Sequence, residues 1–325
     1  MYREKLYKSI VHEVEKGILD GKYKLGDRIP SINSWRIKSG LSRSSVLLAM
    51  DELISRGLIE SEQSVGYFVS STRVEITHRF LLIFNEFNSF KQDLYHSILN
   101  SLGSGAVTDI VFYNFNRDTF DLLLENMAGK YSVYLVMAGV FKNIEHQLRK
   151  LGGVVIVVDS CDDDSVKGVF SSVTQDFAQD THDALEAGLS QLNHYNEIVL
   201  VQSSPKEPMA RYDGVQRFCQ EYDFTCALIK TMKDMPLRYG VVYLTPEDRE
   251  IVNIMRTAEK QHMKVGEDFG LVAFNEQELN EILCNGLTTI STDFVQMGKT
   301  VVDLVKEKEI KTIRNPWRLI LRNSL

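Results

Sequence analysis

Three stretches of this 325-residue chain hold side chains whose types and spacing can bind something. The first is Gly40-Leu41-Ser42-Arg43-Ser44-Ser45-Val46, where three hydroxyls and a guanidinium gather at what reads as the start of a helix. Such a start presents free backbone N–H groups, which suit phosphate oxygens, and an arginine fork there can grip a phosphate or a guanine edge. The second is Ser203-Ser204 through Arg211, whose fork suits two adjacent oxygens. The third is a set of polar residues that stop apolar runs: Asn85 with Glu86, Asp159 and Asn275. Signatures of catalysis are missing. The chain has no H-E-x-x-H, no G-x-S-x-G and no G-x-x-x-x-G-K-[ST]. Its seven histidines are scattered, none at metal-ligand spacing. His182 with Asp180 and Asp183 reads as solvated helix surface, and Asp162-Asp163-Asp164 as a charged loop after a strand. The expectation is no enzyme, no metal and no cofactor.

The elements that position the first stretch are legible. A helix over about residues 3–20 is set by the ridge Leu6, Ile10, Val14 and Ile18, and Gly21 stops it. Pro30 closes an extended segment, and Ser31 caps a short second helix ended by Gly40. Ser42 caps a third helix with Val46, Met50, Leu53 and Ile54 inward, terminated by Gly57. Leu58-Ile59 and Tyr67-Phe68-Val69 flank a turn through Ser64, as in a two-stranded wing. Two helices joined by a short glycine-bearing turn, followed by a hairpin, predict a winged helix-turn-helix that offers the start of its third helix to the major groove of duplex DNA. Ser42 then has two readings, phosphate contact and plain cap.

Bulk composition bounds the rest. The length suggests more than one domain, and 44% hydrophobic with 25% charged residues describes a soluble globular chain. No apolar run approaches a bilayer span, the start lacks a signal-peptide pattern, and the four cysteines form no C-x-x-C pair, so a cytoplasmic protein with reduced thiols is expected. Net charge is −7, unevenly spread: residues 1–72 hold 11 Lys/Arg against 9 Asp/Glu, and residues 73–325 hold 26 against 35. That confines nucleic-acid binding to the head.

After a polar linker over residues 71–78 the pattern becomes apolar strands alternating with helices. The clearest runs are 80–84, 131–137, 154–158, 198–201, 240–244 and 270–274, with helices over 247–262 and 293–308. Continuous apolar strands predict parallel sheets covered on both faces, which bind ligands beyond the carboxyl ends of their strands. The length suits two lobes, with residues 79–174 and 290–314 forming the first and 175–289 with 315–325 the second, and a ligand cleft between them.

The head resembles the GntR family of bacterial regulators, through Gly26-Asp27-Arg28-Ile29-Pro30-Ser31, the Gly40 to Met50 stretch, Gly57-Leu58 and Gly66-Tyr67-Phe68-Val69. The resemblance implies DNA contacts from Ser31, Arg36, Ser42, Arg43, Ser44, Ser45, Leu47 and Ser64. A usual family arginine falls at Asn33, with Arg36 nearby, and another falls at Leu47, which suits a thymine methyl. The remainder resembles the effector domain of the LacI family, of periplasmic-binding-protein-like fold, through Arg211-Tyr212-Asp213-Gly214-Val215, Val265 to Asn275, and Leu287-Thr288-Thr289-Ile290-Ser291-Thr292-Asp293-Phe294 to Gly298. This implies a ligand site of Asn85, Glu86, Phe90, Asp159, Arg211, Glu247, Asn275 and Phe294. Arg211 would grip hydroxyls or else serve a structural salt bridge. Asn275 stands where many sugar binders carry aspartate, and Phe294 lies either under a sugar ring or in the core. Asp248 reads as a helix cap and Asp176 as structural. The combination is similar to arabinose-responsive repressors and implies a dimer on a two-fold operator, sensing a monosaccharide. The alternative is a soluble sugar-binding or sugar-processing protein whose head docks another protein.

Overall fold

The computed structural model describes residues 2–307 and 309–325, with side chains described from Tyr7 onward. The Leu6 side chain and Lys308, both invoked above, lie outside the described residues. The head consists of α1 (Tyr2–Leu19), α2 (Ile32–Ser39), α3 (Arg43–Ser55), β1 (Ile59–Glu62) and β2 (Gly66–Val69). It is a winged helix-turn-helix with a core of its own. Ile10, Val14 and Ile18 meet Trp35, Val46, Met50 and Leu53, and the wing closes the cluster with Leu58, Ile59 and Val69. Local chemistry explains the boundaries. The Ser31 hydroxyl accepts from the Ser34 N–H, and the Ser42 hydroxyl from the Ser45 N–H, each at 3.2 Å. Gly40 ends α2 at φ +69°, in the left-handed region that favours glycine. The wing pairs antiparallel from Ile59 opposite Val69 to Glu62 opposite Gly66.

The body follows with β3 (His78–Phe84), α4 (Ser89–Leu102), β4 (Ala106–Phe112), α5 (Arg117–Met127), β5 (Val133–Val136), α6 (Glu145–Arg149), β6 (Val154–Asp159) and β7 (Ser171–Thr174). It continues through α7 (Phe177–Ala187), α8 (Leu189–Leu192), β8 (Glu197–Val201), α9 (Ala210–Tyr222), β9 (Thr225–Ile229), β10 (Val241–Thr245) and α10 (Asp248–Gln261). It ends with β11 (Gly270–Phe274), β12 (Thr288–Thr292), α11 (Phe294–Lys306), β13 (Thr312–Arg314) and β14 (Trp317–Ile320). Two six-stranded sheets result, ordered β13-β7-β6-β5-β3-β4 and β14-β12-β11-β10-β8-β9. Neighbours such as β3 and β5, or β10 and β11, are parallel, while β14 runs antiparallel to β12.

The apolar runs are continuous because both faces of each inner strand are buried. In the second sheet Ile198 and Leu200 face a cluster with Phe218 of α9, whereas Val199 and Val201 face another with Ile251 and Ile254 of α10. The six expected runs are all strands. Those not expected, β4, β7, β9, β13 and β14, are largely half-buried or exposed, so their residues are mixed. β12 is fully buried yet built from Thr and Ser, and its hydroxyls are bonded internally, as from Thr288 Oγ1 to the Arg322 carbonyl at 3.2 Å.

Strand pairing moves several boundaries. His78 is the first residue of β3, paired with Ala106, and so leaves the linker. A lobe boundary at residues 289 and 290 would cut β12, which pairs along its length with β11 and β14 in the second sheet. The chain forms two compact units. One comprises the chain up to Phe87 with Ile98–Val173 and Lys299–Thr312. The other comprises Asn88–Ser97, Thr174–Gly298 and Ile313–Leu325. Residues 88–97, expected in the first lobe, group with the second unit through Phe90 stacked on Phe294 and the Ser97 hydroxyl donating to the Val295 carbonyl at 2.6 Å.

Candidate functional site

In the head, the start of α3 is an exposed cluster of hydroxyls. The Ser42 Oγ lies 2.9 Å from both the Ser44 and Ser45 Oγ atoms. Ser42 is thus an N-cap, and its hydroxyl is also part of the surface the helix presents. Arg43, in the first turn, is exposed and makes no ion pair among the described residues. Its charge reaches Tyr67 on the wing, whose phenol is pushed up by burial and by Asp51, with Arg43 opposing. Leu47 is half-buried one turn on, while Ser31 and Arg36 are exposed on α2, with Arg36 Nη1 3.5 Å from Asn33 Oδ1. Ser64 sits at the wing tip with φ +63°, beside the exposed carboxylates of Glu60 and Glu62. Sequence reasoning passed over Arg28, whose guanidinium donates to the Val65 carbonyl and holds the wing turn.

The second unit carries a small pocket at the carboxyl ends of β11 and β12. It is lined by Arg211, Asn275, Phe177, Asp180, Ser291 and Trp317, among others. Its volume is about 20 Å³, space for a single water-sized group. Arg211 is 5% exposed in the first turn of α9. Its guanidinium is paired with Glu207 and lies 4.6 Å from the Phe274 ring and 5.2 Å from Phe177. The salt bridge and the pocket-lining position therefore coexist in one side chain. Asn275, at φ +66°, is fixed by donating its N–H to the Ile290 carbonyl at 2.9 Å. The Asn280 side-chain amide donates to the Asn275 carbonyl at 3.4 Å. Asn tolerates this left-handed position better than most residues.

The remaining expected residues are placed as follows. Glu247 caps α10, and its carboxylate accepts from the Ser203 N–H at 2.6 Å, the Ser203 hydroxyl at 2.7 Å and the Ser204 N–H at 3.0 Å. Burial pushes its pKa up, but these bonds outweigh that and hold it below the usual range. Glu247 thus anchors the loop after β8 and is not among the residues that line the small pocket. Phe294 is 6% exposed and stacks on Phe90 at 5.2 Å, so both serve packing in this structure. Asp248 follows the cap position and is exposed; Glu247 occupies that position but makes no side-chain cap bond. Asp176 caps α7 by accepting from the Gln179 N–H at 3.1 Å. Asp180, buried beside the pocket, accepts from Arg314 Nε at 2.8 Å; burial raises its pKa despite that cation. His182 sits 3.0 Å from Glu221, and Asp183 accepts from Arg314 at 2.8 Å.

In the first unit, Asn85 and Asp159 are buried where β3 and β6 end, with β5 between them. The Asn85 amide oxygen accepts from the Glu86 N–H at 2.8 Å, and Glu86 is half-buried. Asp159, at φ +72°, adds to the burial that drives the Tyr113 phenol upward. The acidic triplet is structural: Asp163 accepts from the Ile144 N–H at 2.8 Å, and Asp164 pairs with Lys167 at 2.6 Å. Phe177 and Trp317, which line the pocket, were missed, because an aromatic in a helix or an edge strand reads as core.

Two family matches define the class. Residues 6–69 match the gntR family of bacterial regulatory proteins, and residues 168–325 match the periplasmic binding protein-like domain. The chain therefore joins a gntR-type helix-turn-helix domain to a periplasmic-binding-protein-like domain. Among individual proteins, it is similar to the mannosyl-D-glycerate transport/metabolism system repressor MngR of Escherichia coli. That likeness is 31% identity over 74 residues, covering 23% of this chain and 31% of that repressor's length. A LacI family transcriptional regulator from Silicibacter pomeroyi shares the fold at TM-score 0.63 and 14% identity, covering 76% of this chain and 98% of its own. A LacI family regulator from Enterococcus faecium with bound ribose does so at TM-score 0.59 and 19% identity, again over 76% and 98%.

Proposed function

We propose that the protein is a ligand-responsive transcriptional repressor of GntR/LacI type, binding a two-fold operator as a dimer and releasing it when a monosaccharide or sugar derivative binds. The observation that carries this is the exposed start of α3, with Arg43 and its serine hydroxyls, in the same chain as a small polar pocket on Arg211 and Asn275, which has room for one hydroxyl of a sugar but not for its ring. Arg43 reads a base edge or a phosphate, and Ser42, Ser44 and Ser45 hold phosphate oxygens. The carboxylates of Glu60 and Glu62 make the wing the weaker contributor. Arg211 and Asn275 offer donors and acceptors to vicinal hydroxyls, and Trp317 and Phe177 offer apolar faces. An exposed apolar face of Val252, Leu279, Ile282 and Leu283 on the second unit supports self-association. The relatives described above, a repressor and a ribose-bound regulator, point the same way. No helix among the described residues is long and apolar enough to cross a membrane, consistent with work on DNA in the cytoplasm.

Operator selection from random duplexes, followed by gel shift, tests the proposal. Affinity should fall by about 0.9 log units per log of salt for each phosphate contacted. Arg43→Ala should weaken specific binding by about 10- to 100-fold while leaving the ligand response intact. Arg211→Ala should abolish thermal stabilisation by the active monosaccharide and leave DNA binding intact. No selected operator, with a sugar still stabilising the chain, would favour a sugar-binding protein whose head docks a protein.

A further inference from the structure

The segment after the wing is polar and aperiodic, which suggests a loose tether. Its hydrogen bonds describe something else. The N–H groups of Ser70 and Ser71 donate to the Leu58 carbonyl at 3.0 and 3.3 Å, and the Ser70 hydroxyl donates to the Gly57 carbonyl at 3.0 Å. Val74 packs on the head core, and Ile76 is 6% exposed. The N–H groups of Thr77 and His78 then donate to the Gly105 carbonyl at 2.9 and 3.3 Å, where β3 begins.

Arg56 sits at the centre of this run. It ends α3 as the C-cap, its N–H donating to the Glu52 carbonyl. Its side chain is 9% exposed. Nε donates to the Ile76 carbonyl at 3.1 Å, and Nη2 to the Val74 carbonyl at 3.2 Å and to Glu15 of α1 at 2.6 Å. One planar group thus joins the recognition helix, the first helix and two consecutive turns of the tether. A guanidinium so enclosed has fixed direction, and its bonds are shielded from the water and salt that weaken exposed pairs. An ordinary helix C-cap needs no buried fork on two carbonyls fifteen or more residues away. A loose tether would leave those carbonyls to water.

We propose that Arg56 is a positioning residue: it pins the tether to the back of α3 so that head and tether move as one body, and displacement of Val74–Ile76 is delivered to the recognition helix. Regulation of DNA binding then passes through a stiff joint. The DNA part of this inference rests on the function proposed above, whereas the stiffness of the joint does not.

The experiment compares the wild-type chain with Arg56→Gln and, as a control, Glu15→Gln, which removes the nearer of its two acidic partners in the head and spares Glu52 at 3.6 Å and the two tether carbonyls. Limited trypsin digestion reads cleavage after Arg73, which is exposed within the tether. The expected result is cleavage about tenfold faster in Arg56→Gln than in the wild type or Glu15→Gln, with cleavage inside the head unchanged. The second readout is gel shift on the selected operator with its half-sites moved by about 5 bp, half a helical turn. The wild type should lose at least tenfold in affinity, and Arg56→Gln less than threefold, while both bind a single half-site equally. Equal cleavage after Arg73 in all three proteins overturns the inference, as does faster cleavage throughout the head, which would make Arg56 a stabiliser only. Absence of DNA binding by the wild type, with the trypsin result as expected, would leave the stiff joint standing and sink the regulator reading.

Discussion

Numbered from its own first strand, each six-stranded sheet has the same order: second strand at one edge, then first, third, fourth, fifth and sixth. Even a detail of backbone recurs. Of the fourth strands, β6 ends in the left-handed Asp159 at φ +72°, and β11 is followed directly by the left-handed Asn275 at φ +66°. What differs is the chemistry around that turn. Asp159 lies near a buried Tyr113, while Asn275 shares a pocket with a ring-stacked arginine. The comparison teaches that strand order and turn geometry belong to the fold, and that side chains set on the turns decide which sheet carries the sharper binding chemistry.

The strongest way to break this comparison is to ask whether each sheet stands on its own core. Phe120→Ala in the first unit and Phe218→Ala in the second each empty a fully buried position and should cost about 3–5 kcal/mol in urea unfolding. Hydrogen exchange should show loss of protection concentrated in the mutated unit. Equal loss in both would mean a single cooperative structure. Next in size, Gly214→Ala should cost about 1–3 kcal/mol, because a Cβ there would lie 2.3 Å from the Ala178 carbonyl oxygen where α9 meets α7. An unchanged Tm would show that this helix pair has slack.

A smaller effect separates the two turns. Phe274→Leu removes one ring beneath Arg211 and should weaken binding of the stabilising monosaccharide by about tenfold, read by titration calorimetry. Asp159→Asn should weaken it less. The reverse ranking would move the principal site to the first sheet.

The smallest effect is on pH. Burial pushes the Asp163 carboxyl up, but hydrogen bonds from the Ile144 and Ser165 N–H groups and the Ser165 hydroxyl outweigh it and hold the pKa down. Its contribution is present above the unfolded pKa and is lost as pH falls through the lower folded value. Asp180 is raised by burial, so it costs stability when ionised and relieves that cost as pH falls through its folded value. Acidification into the carboxylate range should therefore remove the Asp163 contribution from the first unit and relieve the Asp180 cost in the second, each read in urea denaturation as the difference between wild type and variant. Asp163→Asn and Asp180→Asn should each flatten that dependence, and an unaltered profile in both would count against these assignments.

Much of the head was legible because its boundaries are written in local chemistry. Ser31, Gly40 and Ser42 act on atoms within a turn of themselves, so their residue type is enough. The inner strands were legible because burial on both faces demands unbroken apolar sequence. β12 was not, since its Thr288 and Thr289 hydroxyls are satisfied by Arg322 and Glu276, residues distant in sequence, and Ser324 accepts from the Thr288 N–H. The loop contacts of Glu247 were hidden for a related reason. A carboxylate at a strand end is also what the loop carrying Ser203 and Ser204 needs, and only tertiary structure shows which demand it meets.

The closing strands β13 and β14 carry a consequence for biogenesis. Each adds the sixth strand to a different sheet, and they are separated by only Asn315 and Pro316. Ser324, wholly enclosed, bonds to the Leu271 carbonyl at 2.6 Å and receives the Thr288 N–H at 2.8 Å. The winged module has all its parts within the first seventy positions and is free to mature on the ribosome. Both sheets must wait for residues 312–320, so a nascent polypeptide presents a finished head well before either body is complete.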